Sequence, residues 1–142
     1  MTTLLVATDG SEFGLRAADY ALRRHAVESG PVRVHLLNVQ PSLAGVNVKL
    51  FIRQGSLDAY YREEGEAALE SAAARLRSGG IEPTLHIGVG EAAAKIAEFA
   101  RSTGADEIII GAHGRGFLAD AVVGSVALAV VRSASVPVVL VP

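Results

Sequence analysis

The sequence predicts an α/β fold in which helices cover both faces of a parallel sheet. Short apolar runs that end in turn residues alternate along the chain with segments of helical periodicity. The strand segments are apolar runs and do not alternate between apolar and polar residues, which is typical of parallel strands that are buried on both faces. Every connection between successive strands is long enough to contain a helix, so right-handed crossovers are expected.

The composition is that of a globular protein, and it narrows the function classes. Of the 142 residues, 50% are hydrophobic and 20% are charged, and the net charge is −2. We expect one domain over residues 1–142 that binds neither nucleic acid nor an acidic membrane. The absence of cysteine excludes disulfides and thiolate chemistry. Because the N-terminal residues lack a signal-peptide pattern, we expect a cytoplasmic protein.

Five strands and four helices are predicted from the apolar patterns and the turn residues. The strands are expected at residues 3–8, 32–39, 83–89, 106–110 and 136–141. The first helix follows Ser11 as its N-cap, and the other helices are expected at 57–78, 91–104 and 125–133. Residues 40–56 have no clear period and are expected to form a loop.

Apolar residues at helical spacing predict which face of each helix is buried. On the first helix they are Leu15, Ala18, Leu22 and Ala26. On the second helix they are Tyr61, Gly65, Ala68, Ala72 and Leu76. On the third helix they are Ala93, Ile96, Ala97 and Ala100.

The last strand, residues 136–141, is expected at an edge of the sheet. Pro137 has no N–H to donate to a sheet ladder, which favours an edge position. The strand is nevertheless apolar and carries no charge that would block pairing with another chain. We therefore expect a homodimer that pairs through this strand. The alternative is that Pro137 merely opens the strand.

Two loops combine chemistry-bearing residues with backbone freedom. TDGS, residues 8–11, places an acidic side chain directly after the first strand. GAHGRG, residues 111–116, follows the fourth strand and supplies donors from His113 and Arg115. The pair GS at 124–125 then opens the last helix. In open α/β sheets the loops at the carboxyl ends of the strands hold the ligand.

The second loop has the features of an anion site. A helix N-terminus presents unpaired N–H groups and a partial positive charge, which suit a phosphate. Gly124 lets the backbone come close to such a group, and Ser125 adds a hydroxyl donor. Gly111 and Gly114 are expected to let the loop fold over the anion as a nest. The alternative is a loop that is rich in glycine for turning only.

The spacing Gly111-x2-Gly114-x9-Gly124-Ser125 resembles the G-x2-G-x9-G-[S/T] signature of the ATP-binding branch of the universal stress protein family. The resemblance extends over nearly the whole chain. LLVATDGSEFGLRAADYAL resembles that family's opening strand, acidic turn and helix, and LLNV its second strand. GEAAAKIAEFARSTGADEIIIGAHGRG resembles its third helix, fourth strand and phosphate loop, and SVPVVLV its final strand.

The resemblance implies a three-layer α/β/α sandwich with a five-stranded parallel sheet in the order 3-2-1-4-5. This architecture is Rossmann-like and similar to that of the adenine nucleotide alpha hydrolases. The resemblance also implies homodimers that pair through the last strand. ATP, bound with Mg²⁺, is implied in the crevice between the loops that follow strands one and four.

The family's binding residues carry over to this sequence by position. Ala7, Thr8 and Asp9 are implied on the adenosine side, with Asp9 near the ribose or a phosphate-bound Mg²⁺, and Val39 is implied to hold adenine through its backbone. The implied contacts of the loop and the helix start are Gly111, Ala112, His113, Gly114, Arg115, Gly116, Gly124, Ser125 and Val126. Asp120 departs from the family, because a carboxylate that points toward the phosphates would weaken binding.

Other site motifs are less well supported. GVGEAA at 88–93 fits a dinucleotide fingerprint, but it follows the third strand and lacks the acidic residue of a ribose contact. No G-x4-G-K-[ST] is present, and no G-x-S-x-G elbow surrounds Ser125, so a P-loop ATPase and a serine hydrolase are not expected. Asp9 follows strand one, as the phosphorylated aspartate of a response regulator does. The sequence does not supply the acid pair beside strand one or the lysine after strand five that such a site usually needs, so this function is not expected.

The remaining histidines show no metal-binding spacing in the sequence. His25, His35 and His86 occur singly in helix or strand segments, and we interpret them as surface or core residues.

Three function classes stay open. The favoured one is an ATP-binding regulatory homodimer whose nucleotide orders residues 111–124 and the loop 40–56, a state that an unidentified protein partner reads. The others are a slow ATPase or phosphotransfer enzyme and a nucleotide-free interaction module. Hydrolysis needs a positioned water or base and charge stabilisation. Because no catalytic lysine is evident, we expect weak ATP hydrolysis at most.

Overall fold

The computed structural model describes residues 1–43, 54–114 and 123–142. The expectations for Arg115, Gly116 and Asp120, and for most of the loop 40–56, lie outside the described residues. Within them the elements are β1 (Thr2–Ala7), α1 (Glu12–Val27), β2 (Val32–Gln40), α2 (Gln54–Ser78), β3 (Thr84–Val89), α3 (Ala92–Thr103), β4 (Glu107–Gly111), α4 (Ser125–Ser133) and β5 (Val138–Val141).

The five strands form one parallel sheet in the order β3-β2-β1-β4-β5. β1 lies at the centre, where Leu5 is in register with His35 of β2 and with Ile108 of β4. The α/β fold class and the strand order implied by the resemblance are both confirmed. The strand order reverses at β1. Because the strands are parallel, the carboxyl ends of β1, β2 and β4 lie beside one another at the same end of the sheet.

Each face of the sheet has its own hydrophobic core. Leu4 and Leu5 are adjacent on β1 and both fully buried, yet they belong to different cores. Leu4 packs with residues of α1 and α2, whereas Leu5 packs with residues of α3 and α4. Successive side chains of a strand point to opposite faces, which explains why residues 4–7 of β1 form a continuous apolar run. Burying each leucine fully contributes about 1.5–3 kcal/mol.

The buried face predicted for α1 is partly wrong. Ala18 is buried as expected, but Leu15 and Leu22 are half-buried and Ala26 is exposed. The buried positions of α1 are those of small residues, namely Gly14, Ala17, Ala18 and Ala21. Small side chains let the helix approach the sheet closely, so the leucines flank the contact instead of filling it.

The buried faces predicted for α2 and α3 are confirmed. The residues named from the sequence are all buried, and they are Tyr61, Gly65, Ala68, Ala72 and Leu76 on α2 and Ala93, Ile96, Ala97 and Ala100 on α3. α3 ends at Gly104, which has a φ of 67°. Glycine adopts this left-handed conformation at little cost, which makes it a frequent helix terminator.

β5 lies at an edge of the sheet, as the sequence predicts. Pro137 precedes the strand, and its carbonyl accepts a hydrogen bond of 2.9 Å from the N–H of Ile108. Backbone groups alternate in direction along a strand. The groups of Val138 and Leu140 therefore face away from β4, toward the outer edge of the sheet.

His35 and His86 occur singly in the sequence, but the sheet brings them together at half-buried positions. Nδ1 of His35 lies 2.8 Å from Nε2 of His86, and the ring of Phe99 packs 5.4 Å from that of His86. Burial lowers the pKa of both histidines, and the charges of His86 and Arg33 lower the pKa of His35 further. Folding therefore favours a neutral, hydrogen-bonded imidazole pair.

Across residues 1–43, 54–114 and 123–142, no helix has the length and apolar character needed to cross a membrane.

We expect Gly14→Ala to destabilise the fold. A Cβ at Gly14 would overlap the hydroxyl of Thr8 and lie 2.8 Å from its Cβ. Overpacking of this kind costs about 1–3 kcal/mol, which exceeds the gain of about 1 kcal/mol from the higher helix propensity of alanine. The overlap with the Thr8 hydroxyl places the cost at the upper end of this range, so urea denaturation should show a net loss of about 2 kcal/mol in the free energy of unfolding.

The matched control for this substitution is Gly30→Ala, because nothing lies within 4 Å of a Cβ at Gly30. The control should keep the wild-type free energy of unfolding. A Gly14→Ala variant as stable as the wild type would contradict the close approach of α1 to Thr8.

The histidine pair should make folding stability depend on pH. Unfolded histidines titrate near pH ~6.5, whereas the folded pKa values of His35 and His86 are lower. Between these values the unfolded chain binds more protons, so the free energy of unfolding falls as pH falls from about 6.5 through the folded pKa values.

Urea denaturation between pH ~7.5 and pH ~5 measures this dependence. The double variant His35→Asn, His86→Gln should show a shallower decline than the wild type. His25→Gln, which alters an exposed histidine of α1, controls for the loss of a histidine elsewhere. An unchanged decline in the double variant would rule the pair out as its source.

Candidate functional site

A cleft of about 640 Å³ opens at the carboxyl ends of the strands. The ends of β1, β2 and β4 and the starts of α3 and α4 form its walls. Open parallel sheets hold their ligands at this position, where the strand order reverses. The lining residues among those that the structure describes are Ala7, Thr8, Asp9, Gly14, Leu37, Asn38, Val39, Ala92, Ile96, Ile110, Gly111, His113, Gly114, Val123, Gly124, Ser125, Val126, Ala127 and Leu128.

Most site residues named from the sequence meet in this cleft. Those that line it are Ala7, Thr8, Asp9, Val39, Gly111, His113, Gly114, Gly124, Ser125 and Val126. Ala112 lies behind the wall, because it is buried and its backbone is bonded on both sides. Its N–H donates to the carbonyl of Val141 at 2.7 Å, and its carbonyl accepts from the N–H of Gly124 at 2.6 Å. Arg115 and Gly116 fall outside the described residues.

The turn after β1 contributes a carboxylate to the cleft. Oδ1 of Asp9 accepts a hydrogen bond of 2.9 Å from the N–H of Ser11, and Oγ1 of Thr8 accepts one of 3.1 Å from the N–H of Gly10. Gly10 has a φ of 87°, which favours glycine. The hydroxyl of Ser11 makes no capping hydrogen bond. The side chains of Thr8 and Asp9, and not that of Ser11, therefore organise the approach to α1.

The glycines of the second loop let the chain approach itself. A Cβ at Gly111 would lie 2.7 Å from that of Phe13, one at Gly124 would lie 3.2 Å from a carbonyl oxygen of its own loop, and one at Gly114 would overlap the Asp9 carboxylate. All three glycines are described, and none has a positive φ. Close packing therefore accounts for these glycines without a left-handed backbone, and the predicted nest, which would continue into Arg115 and Gly116 outside the described residues, stays a prediction.

The two helices that begin at the cleft are capped differently. At α3 the carboxylate of Glu91 accepts hydrogen bonds from the N–H groups of Ala93 at 3.1 Å and Ala94 at 2.7 Å. At α4 the N-cap residue is Gly124, which has no side chain to do this, and Ser125 lines the cleft. The first N–H groups of a helix lack intrahelical acceptors and carry partial positive charge. The start of α4 can therefore hold an anionic group.

The β2 and α3 side of the cleft is mainly apolar, and sequence reasoning found only Val39 there. Leu37 and Val39 share one face of β2, and Ala92 and Ile96 lie one turn apart on α3. The signal that could have found them is the period of two along β2 and of four along α3. The other apolar lining residues that the sequence analysis missed are Ile110, Val123, Ala127 and Leu128.

Asn38 is a polar lining residue on that side, and it is only 3% exposed. Its Nδ2 donates to the carbonyl of Thr8 at 2.9 Å, and its Oδ1 accepts from Nε2 of Gln40 at 2.7 Å. These bonds satisfy a buried amide and connect β2 to the turn after β1. Asn38 therefore fixes the distance between two walls of the cleft.

The competing motif at 88–93 contributes little to the cleft. Gly88 lies inside β3, where a Cβ would be 3.1 Å from the ring of Phe99. Neither Gly88 nor Gly90 lines the cleft, although Ala92 does. In the described part of the chain, no cluster of three or more His, Asp or Glu side chains could hold a metal ion.

Comparison with protein-family models matches residues 1–142 to the Universal stress protein family. A curated relative is universal stress protein MJ0531 of Methanocaldococcus jannaschii. It is 28% identical over 142 residues, and the alignment covers 97% of this chain and 80% of that protein.

Solved structures share the fold over nearly the whole chain. Hypothetical protein MJ0577 matches with a TM-score of 0.83 at 27% identity, and the match covers 99% of this chain and 94% of that one. The universal stress protein from Archaeoglobus fulgidus in complex with dAMP matches with a TM-score of 0.67 at 25% identity, covering 100% and 98% of the two chains. The ligand in the second structure is an adenine nucleotide.

Proposed function

The chain belongs to the universal stress protein family, and from this membership and the geometry of its cleft we propose that it is a regulatory protein that binds an adenine nucleotide. The observation that carries the proposal is that one cleft combines an apolar side at β2 and α3 with an uncapped helix start at α4. A purine base requires the first surface, and a phosphate requires the second. The dAMP complex of the relative from Archaeoglobus fulgidus supports this ligand class.

We propose ATP with Mg²⁺ as the bound form. Mg²⁺ is usually held by one or two carboxylates together with the phosphates of a nucleotide. Asp9 lines the cleft and supplies one carboxylate close to Gly114 of the second loop. The residues present therefore fit a metal that the nucleotide brings with it, and Asp9 is the proposed contact.

The proposed contacts follow the two sides of the cleft. Adenine lies on the β2 side, where the backbone of Val39 holds it, and Ala7, Thr8 and Asp9 contact the adenosine. The phosphates lie on the α4 side, and the proposed residues there are Gly111, Ala112, His113, Gly114, Arg115, Gly116, Gly124, Ser125 and Val126. Of these residues, Ala112 is the one whose proposed role is to shape the loop, because it is buried and both of its backbone groups are bonded within the protein.

The proposed role of the nucleotide is regulatory. A partner protein can read the nucleotide only if it binds the two states with different affinity. Among the described lining residues, Asp9 and His113 are the titratable side chains, and no lysine is among them. We therefore propose weak hydrolysis at most, in a single cytoplasmic domain over residues 1–142.

The experiment that tests this function is direct. Protein purified without added nucleotide is denatured, and the released small molecules are identified by mass spectrometry. Adenine nucleotide near one per chain, or tight binding of ATP with Mg²⁺ in calorimetry, supports the proposal. No released nucleotide and no thermal shift with ATP and Mg²⁺ would leave an interaction module as the better function. Steady ATP turnover that Asp9→Ala abolishes, with binding retained, would favour a slow ATPase.

We expect Ala92→Phe to block the site without unfolding the protein. Ala92 opens α3 and lines the cleft, so a larger side chain there occupies the space of the ligand. Affinity for ATP in calorimetry should fall about tenfold or more. Ala94→Phe is the matched control, because Ala94 lies on the same helix, is exposed and does not line the cleft. Equal losses in both variants would contradict ligand binding in the cleft.

We propose that the protein forms a homodimer by pairing through residues 136–141, and β5 offers a test. The N–H of Val138 faces the outer edge of the sheet, so Val138→Pro removes a donor for pairing with a second copy while the β4 ladder keeps its donors. In sedimentation velocity the wild type should be a dimer and the variant mainly a monomer. A variant that stays dimeric, with an unchanged melting temperature, would place the dimer interface elsewhere.

A further inference from the structure

Side chains at the start of α1, which do not line the cleft, contact the ring of His113, which does. The rings of His113 and Phe13 meet edge-on, with centroids 5.4 Å apart and an interplanar angle of 63°. Cζ of Arg16 lies 5.0 Å from the centroid of the same Phe13 ring. Arg16 is paired in turn with Glu12 at 2.9 Å. None of these three α1 residues lines the cleft, whereas His113 does.

The backbone that carries His113 is held in place on two sides. Ala112, the preceding residue, is bonded to Val141 of β5 and to Gly124 at the start of α4. Gly111 lies so close to Phe13 that a Cβ there would be 2.7 Å from the Phe13 Cβ and 3.0 Å from its carbonyl oxygen. The first turn of α1 and the start of the second loop therefore form one packed unit.

We propose that Phe13 is a positioning residue for the phosphate side of the ligand. It holds the imidazole of His113 in one orientation, on the side of the cleft where α4 begins. A side chain that is already ordered loses less freedom when a ligand binds. The inference rests on the proposed function, and it specifies the ligand group served, which is the phosphate and not the nucleoside.

The size of the effect follows from the kind of contact. An edge-to-face aromatic pair contributes enough to change an affinity about two- to tenfold. Phe13→Leu keeps an apolar side chain but removes the ring edge, so it should weaken ATP binding by about that factor. Phe13→Tyr keeps the ring and should retain wild-type affinity.

The test is a double-mutant cycle measured by calorimetry with ATP and with adenosine. The variants are Phe13→Leu, His113→Ala and the double variant. Phe13→Leu should weaken ATP binding and leave adenosine binding unchanged, and it should have no further effect once His113 is alanine. Phe99→Leu is the matched control, because Phe99 packs on His86 and does not line the cleft. An equal loss from Phe13→Leu with and without His113 would overturn the inference.

A readout without ligand separates this inference from the proposed function. In NMR spectra of histidine-labelled protein, Phe13→Leu should shift the ring resonances of His113, and Phe99→Leu should leave them in place. Unmoved His113 resonances in Phe13→Leu would overturn the inference whatever the affinities are. A wild type that binds neither ATP nor adenosine would overturn the proposed function, and the phosphate role of Phe13 would be lost with it.

Discussion

Because β2 and β4 pair with opposite sides of β1, the chain leaves β1 in one direction and later returns to it from the other. The connections that leave the carboxyl ends of β1 and β4 run in different directions and leave a gap between them. α3 and α4 begin on either side of this gap. Register maintains this arrangement. A slip of β1 by one residue would exchange Leu4 and Leu5 between the two cores and turn every side chain of the strand to the wrong face.

Close contacts at the turn after β1 then set the shape of the cleft. Gly14 brings α1 against Thr8, whose carbonyl also accepts the amide of Asn38. Gly111 brings the second loop against Phe13 on the same helix. The first turn of α1 is therefore packed between the two loops that line the cleft. These contacts fix the walls of the cleft relative to one another.

The sequence predicts well those features that depend on local periodicity. It predicts the positions of all elements to within a few residues and the buried faces of α2 and α3. It fails on α1, where helix-to-sheet distance and not hydrophobicity selects Gly14, Ala17 and Ala21 for burial. It also misses the pair of His35 and His86, which are far apart in sequence and meet only through the register of β2 and β3.

The candidate site shows the same division between local and tertiary causes. The glycine pattern indicates a special loop, and the described loop residues Gly111, His113 and Gly114 line the cleft. The structure adds a reason for the glycines that the sequence does not reveal, since Gly114 gives room to Asp9 and Gly111 gives room to Phe13. No local pattern reveals that Asn38 bonds the carbonyl of Thr8, because that contact requires β2 to lie beside β1. Contacts of this kind follow from topology, and the resemblance supplied the topology.

α4 and β5 connect the proposed ligand site to the proposed dimer edge. The backbone of Ala112 bonds Gly124, where α4 begins, and also Val141, the last residue of β5. A second copy would pair along the outer edge of β5. The inner edge of the same strand holds Ala112, the residue before His113, through the carbonyl of Val141. Dimerisation and nucleotide binding would then share one backbone contact, the bond between Ala112 and Val141. Any coupling between dimerisation and nucleotide binding is reciprocal. If the nucleotide strengthens dimerisation, dimerisation must strengthen nucleotide binding by the same factor.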